Sequence, residues 1–338
     1  MVFGLKLWPL NNTCRSKARL VGKTVIVTGG NTGIGKEVAQ DLYRRGARAI
    51  LMCRDLNKGK QAIEDIKRNT SKRPSDDGPG ELVLYHLNLA SFASVRECAS
   101  KVLQSESALH VLINNAGVMA CPEGKTDNDI ETHFQVNCLG HFLLTLLLLP
   151  KMQASTPGCR IVNVSSALHY FAEIQFDDIN LKKAYNPITA YNQSKLGNIL
   201  FSNELVERMK ESGIEGINVY SLHPGVVKTE LGRYAEETLF FGARWGLALA
   251  HTVGILKSPP QGAQTTLHCA VDEKAGKETG LYYSECMPIC ASSKTTDPEY
   301  RKRFWDLCCK LLHLDPELTL TELIKQAAQN APVRPNRK

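Results

Sequence analysis

Short apolar runs alternate with longer segments of mixed apolar and polar residues along the first two thirds of the chain. The apolar runs predict buried strands at residues 25–27, 49–53, 81–87, 110–114, 160–165 and 217–222. The longer segments predict helices at residues 34–45, 56–67, 91–103, 129–149 and 189–212. Strands and helices that alternate at this spacing predict an α/β fold in which one doubly wound parallel sheet is covered by helices on both faces.

A glycine-rich turn follows the first predicted strand. Gly29, Gly33 and Gly35 are spaced by four and two residues and lead into a predicted helix. Glycine at these places permits a positive φ, close approach of the backbone to a pyrophosphate, and close packing of helix on strand. The helix amino terminus adds amide donors and the positive end of its dipole. The spacing indicates a dinucleotide-binding Rossmann fold, and the alternative is a glycine-rich turn without a ligand.

The charge of the chain is concentrated at its two ends. Of the net charge of +7, residues 1–23 carry five positive charges and residues 321–338 carry three, which leaves −1 on the body of the chain. A nucleic-acid-binding domain would carry a basic face on the fold itself, so we expect no nucleic-acid partner. The 11 cysteines include no Cys-x-x-Cys pair, and no His/Cys/Asp cluster has metal-ligand spacing. We therefore expect reduced thiols and no metal site.

Apolar residues in the first ten positions, among them Trp8 and Leu10, precede the basic residues. Two interpretations stay open: a segment that rests on a membrane surface, and a frayed terminus. The apolar run 142–149 is too short to cross a bilayer and predicts a core helix. With no signal-peptide pattern or transmembrane helix predicted, we place the protein in the cytoplasm or on the cytosolic face of an intracellular membrane. The predicted division is a segment at 1–20, one domain at 21–315 and a loose tail at 316–338.

Tyr191 and Lys195 are spaced so that they share one face of a predicted helix. A nearby ammonium, and the positive ring of an oxidised nicotinamide, favour the phenolate and lower the pKa of a tyrosine. A tyrosine with a lowered pKa can act as general base on an alcohol or general acid on a carbonyl near neutral pH. Alone, the Tyr-x-x-x-Lys spacing is common on solvated helices and is a weak signal.

Further motifs accompany this pair in a fixed order. They are Thr28-Gly29-x3-Gly33-x-Gly35, Asn114-Asn115-Ala116-Gly117, Asn137, Asn163-Val164-Ser165-Ser166, Tyr191-x3-Lys195 and His223-Pro224-Gly225. The set resembles the classical short-chain dehydrogenase/reductase family, over about residues 20–285. Within that family, stretches such as Gly117-Val118-Met119 and Ser194-Lys195-Leu196 look like the retinol dehydrogenase branch.

The resemblance implies a role for each matching residue. Tyr191 exchanges the proton, Lys195 lowers its pKa and binds the nicotinamide ribose, and Ser166 hydrogen-bonds the substrate oxygen. Asn137 holds a water that continues the proton relay. The implied cofactor contacts are Gly29, Asn31, Thr32, Gly33, Ile34, Gly35, Arg54, Asn88, Leu89, Asn115, Ala116, Gly117, Tyr191, Lys195, Pro224, Gly225, Val227 and Thr229.

Three positions qualify the resemblance. Ser166 and Tyr191 are 25 residues apart, more than is usual in the family, so we expect the extra segment to loop out near the substrate entrance. Asn88 stands where many relatives carry an aspartate against adenine, and its amide oxygen can still accept that hydrogen bond. Cys53 occupies the place of the acid of NAD-preferring relatives and Arg54 follows it, which favours NADP(H).

A further apolar segment, residues 239–250, follows the implied nicotinamide loop and is apolar on nearly all sides. It predicts either burial in the core or a homodimer interface, or a lid over a long apolar substrate taken from a membrane surface. The resemblance implies an oxidoreductase that transfers hydride between NADP(H) and an apolar, retinoid-like alcohol, aldehyde or ketone. The alternatives are a steroid or other lipid carbonyl reductase and a non-catalytic NADP-binding scaffold.

Overall fold

A computed structural model describes residues 12–71, 78–229, 231 and 256–329 of the chain. One sheet runs through the molecule in the strand order β3-β2-β1-β4-β5-β6-β7-β8. All neighbouring strands are parallel except β7 and β8. The strands are β1 Thr24–Thr28, β2 Arg48–Cys53, β3 Glu81–His86, β4 Val111–Asn114, β5 Cys159–Val164, β6 Ile217–His223, β7 Leu281–Ser284 and β8 Met287–Ile289. The predicted doubly wound α/β sheet is confirmed.

Helices cover both faces of this sheet. They are α1 Gly33–Arg44, α2 Leu56–Ser71, α3 Phe92–Ser105, α4 Thr132–Gln153, α5 Pro187–Glu211, α6 Pro259–Val271, α7 Pro298–Leu311 and α8 Leu320–Gln329. Buried residues of α1, α2 and α6 form one apolar cluster with one side of the strands. Buried residues of α3, α4, α5, α7 and α8 form the other. The strand order reverses between β1 and β4, and in open α/β sheets ligands bind at that point, beyond the carboxyl ends of the strands.

Helix α4 is the most apolar of the described helices. In the described part of the chain it alone is long and apolar enough to cross a membrane, and 89% of that window is buried inside the fold. Its leucines contact β-strands and neighbouring helices rather than solvent, because all positions from Phe142 to Leu149 are buried. This burial is the behaviour of a core helix, as the sequence predicts.

The structure adds two strands and a helix to the predicted elements. β7 and β8 extend the sheet beyond β6, although their runs of four and three residues are too short to stand out in the sequence. Within the predicted loose tail at 316–338, α8 places Leu320, Leu323 and Ala327 in the apolar core. This helix corrects the prediction of a loose tail, because its apolar side has α4 to pack against.

The segment before β1 is attached to the body of the fold. The Leu20 amide donates to the Arg45 carbonyl at 2.8 Å, and the Ser16 hydroxyl donates to the Val271 carbonyl at 3.3 Å. Asn12 reaches the β7–β8 turn, where its side-chain nitrogen donates to the Glu285 carbonyl at 3.0 Å. Residues 12–20 therefore lie against the domain, whereas residues 1–11, which carry Trp8, lie outside the described part.

Candidate active site

Tyr191 and Lys195 lie one turn apart in the first third of α5. Asn186 caps this helix, since its side-chain oxygen accepts from the Ile188 and Thr189 amides at 2.9 and 3.0 Å. Both side chains are almost fully buried, with 4% of Tyr191 and 3% of Lys195 exposed. The Lys195 ammonium lies 5.7 Å from the centre of the Tyr191 ring and donates to the Val164 carbonyl at 2.9 Å. The predicted shared face is therefore present, and it points toward the end of β5.

Ser166 is brought to the same place by the end of β5. The neighbouring Ser165 hydroxyl donates to the Lys195 carbonyl at 2.6 Å, which fixes the strand end against α5. The Ser166 oxygen accepts from the Leu168 amide at 3.2 Å and so caps the 3₁₀ turn Ala167–Phe171. A hydrogen bond between the Ser166 side chain and the Tyr191 phenol acts to lower the pKa of Tyr191.

Asn137 lies in a π-helical turn, Gln135–Leu139, inside α4. Such turns widen a helix by one residue and often occur at functional sites. The Asn137 side chain accepts from the Val118 amide at 2.8 Å and donates to the Val118 carbonyl at 2.9 Å. It also donates to the Ser194 hydroxyl at 2.9 Å, next to Lys195. Asn137 thus connects the loop after β4 with α5 at the level of Tyr191.

Burial, rather than neighbouring charges, has the largest effect on the pKa values of Tyr191 and Lys195. It raises the pKa of Tyr191 to about 12, against the smaller effect of Ser166. Burial also lowers the pKa of Lys195 to about 8. The lowering of the Tyr191 pKa by Lys195 and an oxidised nicotinamide therefore stays a prediction for the cofactor-bound protein. The desolvation of a fully buried phenol outweighs an ammonium that is 5.7 Å from the ring and engaged with Val164.

The glycine turn between β1 and α1 has the shape that a pyrophosphate requires. Gly29 has a φ of +67°, and a Cβ on Gly35 would lie 2.4 Å from the Gly29 carbonyl oxygen. Thr32 caps α1 without a side-chain hydrogen bond, and the first turn of α1 contains no acidic residue. The amides at this helix end, around Asn31 and Ile34, therefore fit an anionic group of a dinucleotide.

The loop after β4 is held against the glycine turn by Thr28. Its hydroxyl accepts from the amides of Asn115 and Ala116 at 2.9 and 3.0 Å. The Asn115 side chain donates back to the Thr28 carbonyl at 2.9 Å. Gly117 follows, and a Cβ there would lie 3.3 Å from Asn137 Oδ1 and 3.7 Å from Lys195 Nζ. These contacts bring the turn, the loop and α5 to one edge of the sheet.

The ends of β2 and β3 carry the residues predicted to face the adenosine. Arg54 is exposed, and among the described residues its guanidinium has no ion-pair partner. Asn88 is half-buried, and its side-chain oxygen accepts from the Ala90 amide at 3.2 Å. The following Leu89 is buried. Arg54 is free to meet a phosphate, whereas the Asn88 oxygen is already engaged in a turn.

The loop after β6 closes over the same edge. Pro224 leads into Gly225, which has a φ of +89°, and Val227 pairs with Lys257 in a parallel bridge. Thr229 lies against the glycine turn, since a Cβ on Gly33 would be 3.0 Å from its methyl group. Of the predicted cofactor contacts in this loop, Thr229 and Val227 therefore lie near the start of α1.

Sequence reasoning missed two residues of this site. His169 is fully buried; its Nδ1–H donates to the Ser166 carbonyl at 2.7 Å, and its Nε2 accepts from the Ser292 amide at 3.2 Å. The buried Lys257 forms an ion pair with Glu285 beneath Gly225. The long insertion between Ser166 and Tyr191, which begins at His169, was the sequence signal that could have indicated this residue. Nothing in the sequence around Lys257 distinguishes it from other lysines.

The described residues contain no group of His, Cys, Asp and Glu that could hold a metal ion.

Comparison with known proteins decides the family. The model of the short chain dehydrogenase family matches residues 23–239. The chain belongs to the short-chain dehydrogenase family. The chain is 44% identical to human retinol dehydrogenase 11 over 90% of each protein. It is 41% identical to mouse retinol dehydrogenase 12 over 90% of each, and 41% identical to human retinol dehydrogenase 13 over 92% of this chain and 91% of that one.

Solved structures agree with this short-chain dehydrogenase assignment. A crystal structure of an uncharacterised protein from Mycobacterium Paratuberculosis matches with a TM-score of 0.70 and 30% identity, over 90% of this chain and 99% of that one. The Pseudomonas aeruginosa RhlG/NADP complex shares the fold, with a TM-score of 0.59 and 23% identity over 78% of this chain and 94% of that one. The family is one of oxidoreductases that use a nicotinamide cofactor, so the predicted enzyme class and the resemblance to the retinol dehydrogenase branch are confirmed.

Proposed function

We propose that the protein interconverts an apolar, retinoid-like alcohol and its carbonyl compound with NADP(H). The observation that carries this proposal is the grouping of Tyr191, Lys195 and Ser166 at the edge of the sheet where the glycine turn lies. The names of the relatives, retinol dehydrogenases 11, 12 and 13, support a retinoid-like substrate.

The proposed mechanism assigns the proton to Tyr191. In reduction the phenol donates its proton to the carbonyl oxygen, and in oxidation the phenolate takes a proton from the alcohol. Ser166 hydrogen-bonds the same oxygen, and Lys195 stabilises the phenolate by its charge and binds the nicotinamide ribose. Asn137 holds the water through which the proton leaves. When bound, the nicotinamide supplies or accepts the hydride.

The cofactor preference is proposed on Arg54. An arginine at the end of the second strand can accommodate the 2′-phosphate of NADP, whereas NAD-binding sites place an acid there. Arg54 is exposed and has no ion-pair partner in the described part of the chain, so no carboxylate described there competes for its charge.

Contact of the apolar segments with the substrate and with a membrane is also a proposal. The predicted lid at residues 239–250 and the apolar residues before Asn11 lie outside the described part of the structure. We propose that they provide apolar contact with the substrate and peripheral contact with the cytosolic face of a membrane. A homodimer interface at the same segment stays the alternative.

Replacement of Tyr191 by phenylalanine tests the proposed function. Wild-type protein and Tyr191→Phe are assayed with NADPH on retinal and on straight-chain aldehydes of rising length. We expect wild-type kcat/KM to rise with chain length, since each buried CH₂ contributes ~0.8 kcal/mol. We expect Tyr191→Phe to bind NADPH normally and to lose activity by a factor of roughly 10² to 10⁴, because only the proton donor is removed.

A matched control is Tyr220→Phe. Tyr220 is also fully buried, but its hydroxyl donates to the Ala275 carbonyl on the opposite face of the sheet, at 2.7 Å. This variant should keep near-normal kcat. Near-normal activity of Tyr191→Phe would contradict the mechanism, and tight NADPH binding without turnover of any carbonyl by the wild-type protein would favour a scaffold.

A further inference from the structure

Three buried side-chain atoms on β6 and β7 have no hydrogen-bond partner among the residues that the structure describes. They are the Ser221 oxygen, His223 Nδ1 and the Tyr282 hydroxyl. Ser221 is in register with Tyr282 on the neighbouring strand, and His223 ends β6 two residues later. Buried polar atoms in folded proteins nearly always have a partner, so three on adjacent strands require an explanation of their own.

All three side chains lie on the face of the sheet that α5 covers. Alternation along β6 puts Ser221 and His223 on the side of Val219, which belongs to the apolar cluster that includes α5. Tyr282 alternates with Leu281 and Tyr283, which pack on the opposite face. The cluster is therefore on the same side of the sheet as Tyr191 and Lys195.

His169 connects this cluster to the catalytic candidates. The ring of Tyr282 lies edge-on to His169, with ring centres 4.8 Å apart, and His169 is bonded to the Ser166 carbonyl. The charge of Lys195 contributes to the lowered pKa of His223, and Tyr191 contributes to the raised pKa of Tyr282. Through His169, the Tyr282 ring is connected by direct contacts to Ser166, the residue that we propose binds the substrate oxygen.

The charge state of the cluster limits what it can bind. Burial, with the nearby charges of Lys257 and Lys195, lowers the pKa of His223 to about 4, and burial raises that of Tyr282 well above 10. Both side chains are neutral at pH 7 and offer uncharged donors and acceptors. A carboxylate or phosphate would be costly to bury here, because neither side chain carries a charge, Lys257 is paired with Glu285, and the Lys195 ammonium is engaged with the Val164 carbonyl. A neutral hydroxyl or carbonyl oxygen fits.

We propose that Tyr282 and His223 form a second polar subsite, which binds a neutral oxygen of the substrate other than the one that reacts at Tyr191. The inference rests on the proposed function and narrows its substrate class to apolar carbonyl compounds or alcohols with a second hydroxyl or keto oxygen. A substrate without that oxygen leaves buried polar groups unpaired, and sites built to bind a hydroxyl discriminate strongly against analogues that lack it.

The test compares matched substrates of one chain length. An unsubstituted aldehyde, and its hydroxy and keto derivatives at successive carbons, are reduced with NADPH by the wild-type protein. We expect kcat/KM for at least one derivative to exceed that of the unsubstituted aldehyde about tenfold or more. Tyr282→Phe keeps the ring beside His169 and should reduce this preference to within about twofold.

Tyr283→Phe is the matched control. It removes the same atom one residue away on the opposite face, where the Tyr283 hydroxyl donates to Glu278, and it should leave the preference at the wild-type value. His223→Gln is the second variant, should Tyr282→Phe fold poorly as judged by its melting temperature. It is expected to change the preference in the same direction.

The outcomes separate the subsite from the proposed function. If the wild-type protein reduces the aldehydes but prefers no derivative, or if Tyr282→Phe and His223→Gln keep the preference, the subsite is overturned alone. The subsite is also overturned if Tyr282→Phe loses affinity for NADPH but keeps the wild-type substrate preference, because the Tyr282 hydroxyl would then contact the cofactor. If no aldehyde or ketone is turned over, the proposed function fails and the subsite fails with it.

Discussion

Two buried side chains, Tyr191 and Lys195, have pKa values that burial moves in opposite directions, each toward its neutral form. For Lys195 the pKa falls from 10.5 to about 8, so the ammonium is charged at pH 7 and mostly neutral at pH 9.5. The anionic cofactor favours the charged form. We therefore expect the Kd for NADPH to rise as pH increases through 8, by up to about tenfold per pH unit above it.

Lys195→Met provides the control for this titration, since it keeps the apolar stem and removes the charge. Titrations of NADPH by fluorescence between pH 7 and 9.5 should show a pH-dependent Kd for the wild-type protein and a weak but nearly constant one for the variant. The same slope in both proteins would assign the titration to another group.

Arg54 carries the proposed preference for NADP(H). We expect Arg54→Ala to raise the Kd for NADPH about tenfold or more and to change the Kd for NADH little, since only NADPH has the 2′-phosphate that a charge-assisted hydrogen bond would bind. Lys60→Ala, which removes an exposed positive charge from α2, should change neither value. Equal wild-type affinities for the two cofactors would refute the preference.

At the level of residues, the sequence predicted which side chains lie close together but not how deeply they are buried. The i, i+4 spacing placed Tyr191 and Lys195 on one face of α5, because helix geometry is local. The rise in the Tyr191 pKa in the protein without its cofactor was not predicted, because burial depends on every element packed around α5. His169 and Lys257 were missed for the same reason, since their partners Ser292 and Glu285 come from the segment after β8 and from the turn between β7 and β8.

Among the elements, the turn between β7 and β8 supports the loop after β6. Glu285 and Cys286 both have positive φ values, of 53° and 58°, and Glu285 pairs with the buried Lys257. Lys257 in turn accepts from the Lys228 amide at 3.1 Å and donates its own amide to the Val226 carbonyl at 2.8 Å. The turn, Lys257 and the loop beside Gly225 are thus one connected unit.

We expect Glu285→Gln to weaken this unit. Removing one partner of a buried ion pair costs up to about 3 kcal/mol, and here less, because 17% of the Glu285 side chain is exposed. The free energy of unfolding should fall and the KM for NADPH should rise, with kcat at saturation changed less. Replacing both partners, as in Lys257→Met with Glu285→Leu, should restore much of the stability. Equal losses in the double and single variants would contradict the coupling.

The strands and helices that the sequence predicted are those with a clear hydrophobic pattern or a clear boundary residue. The six predicted strands are apolar runs, the helices between them are longer segments of mixed apolar and polar residues, and the glycine turn marked the start of α1. β7 and β8 have four and three residues, and β8 is exposed along its whole length. Such short runs are stabilised by pairing with neighbouring strands, β7 with β6 and β8 with β7, rather than by their own pattern, so only the sheet reveals them.

For the whole molecule, the largest difference between prediction and structure is at the carboxyl end. Prolines and terminal basic residues predicted a loose tail at 316–338, yet residues 320–329 form α8 and complete the apolar cluster around α4. Arg96 of α3 donates to the Ala327 carbonyl near the end of α8. The fold therefore uses this helix to cover α4, whose all-round apolar surface needs cover on every side.

Leu323 tests whether α8 is part of the folded unit. It is fully buried between α8 and the rest of the cluster, so Leu323→Ala should lower the free energy of unfolding by about 2–5 kcal/mol through lost burial and a cavity. Lys325→Ala, on the exposed side of the same helix, should change it by less than about 0.5 kcal/mol. Urea unfolding followed by circular dichroism measures both, and a shortened chain without residues 330–338 should match the wild-type protein. If Leu323→Ala is as stable as Lys325→Ala, α8 contributes nothing to the stability of the fold and the tail is loose after all.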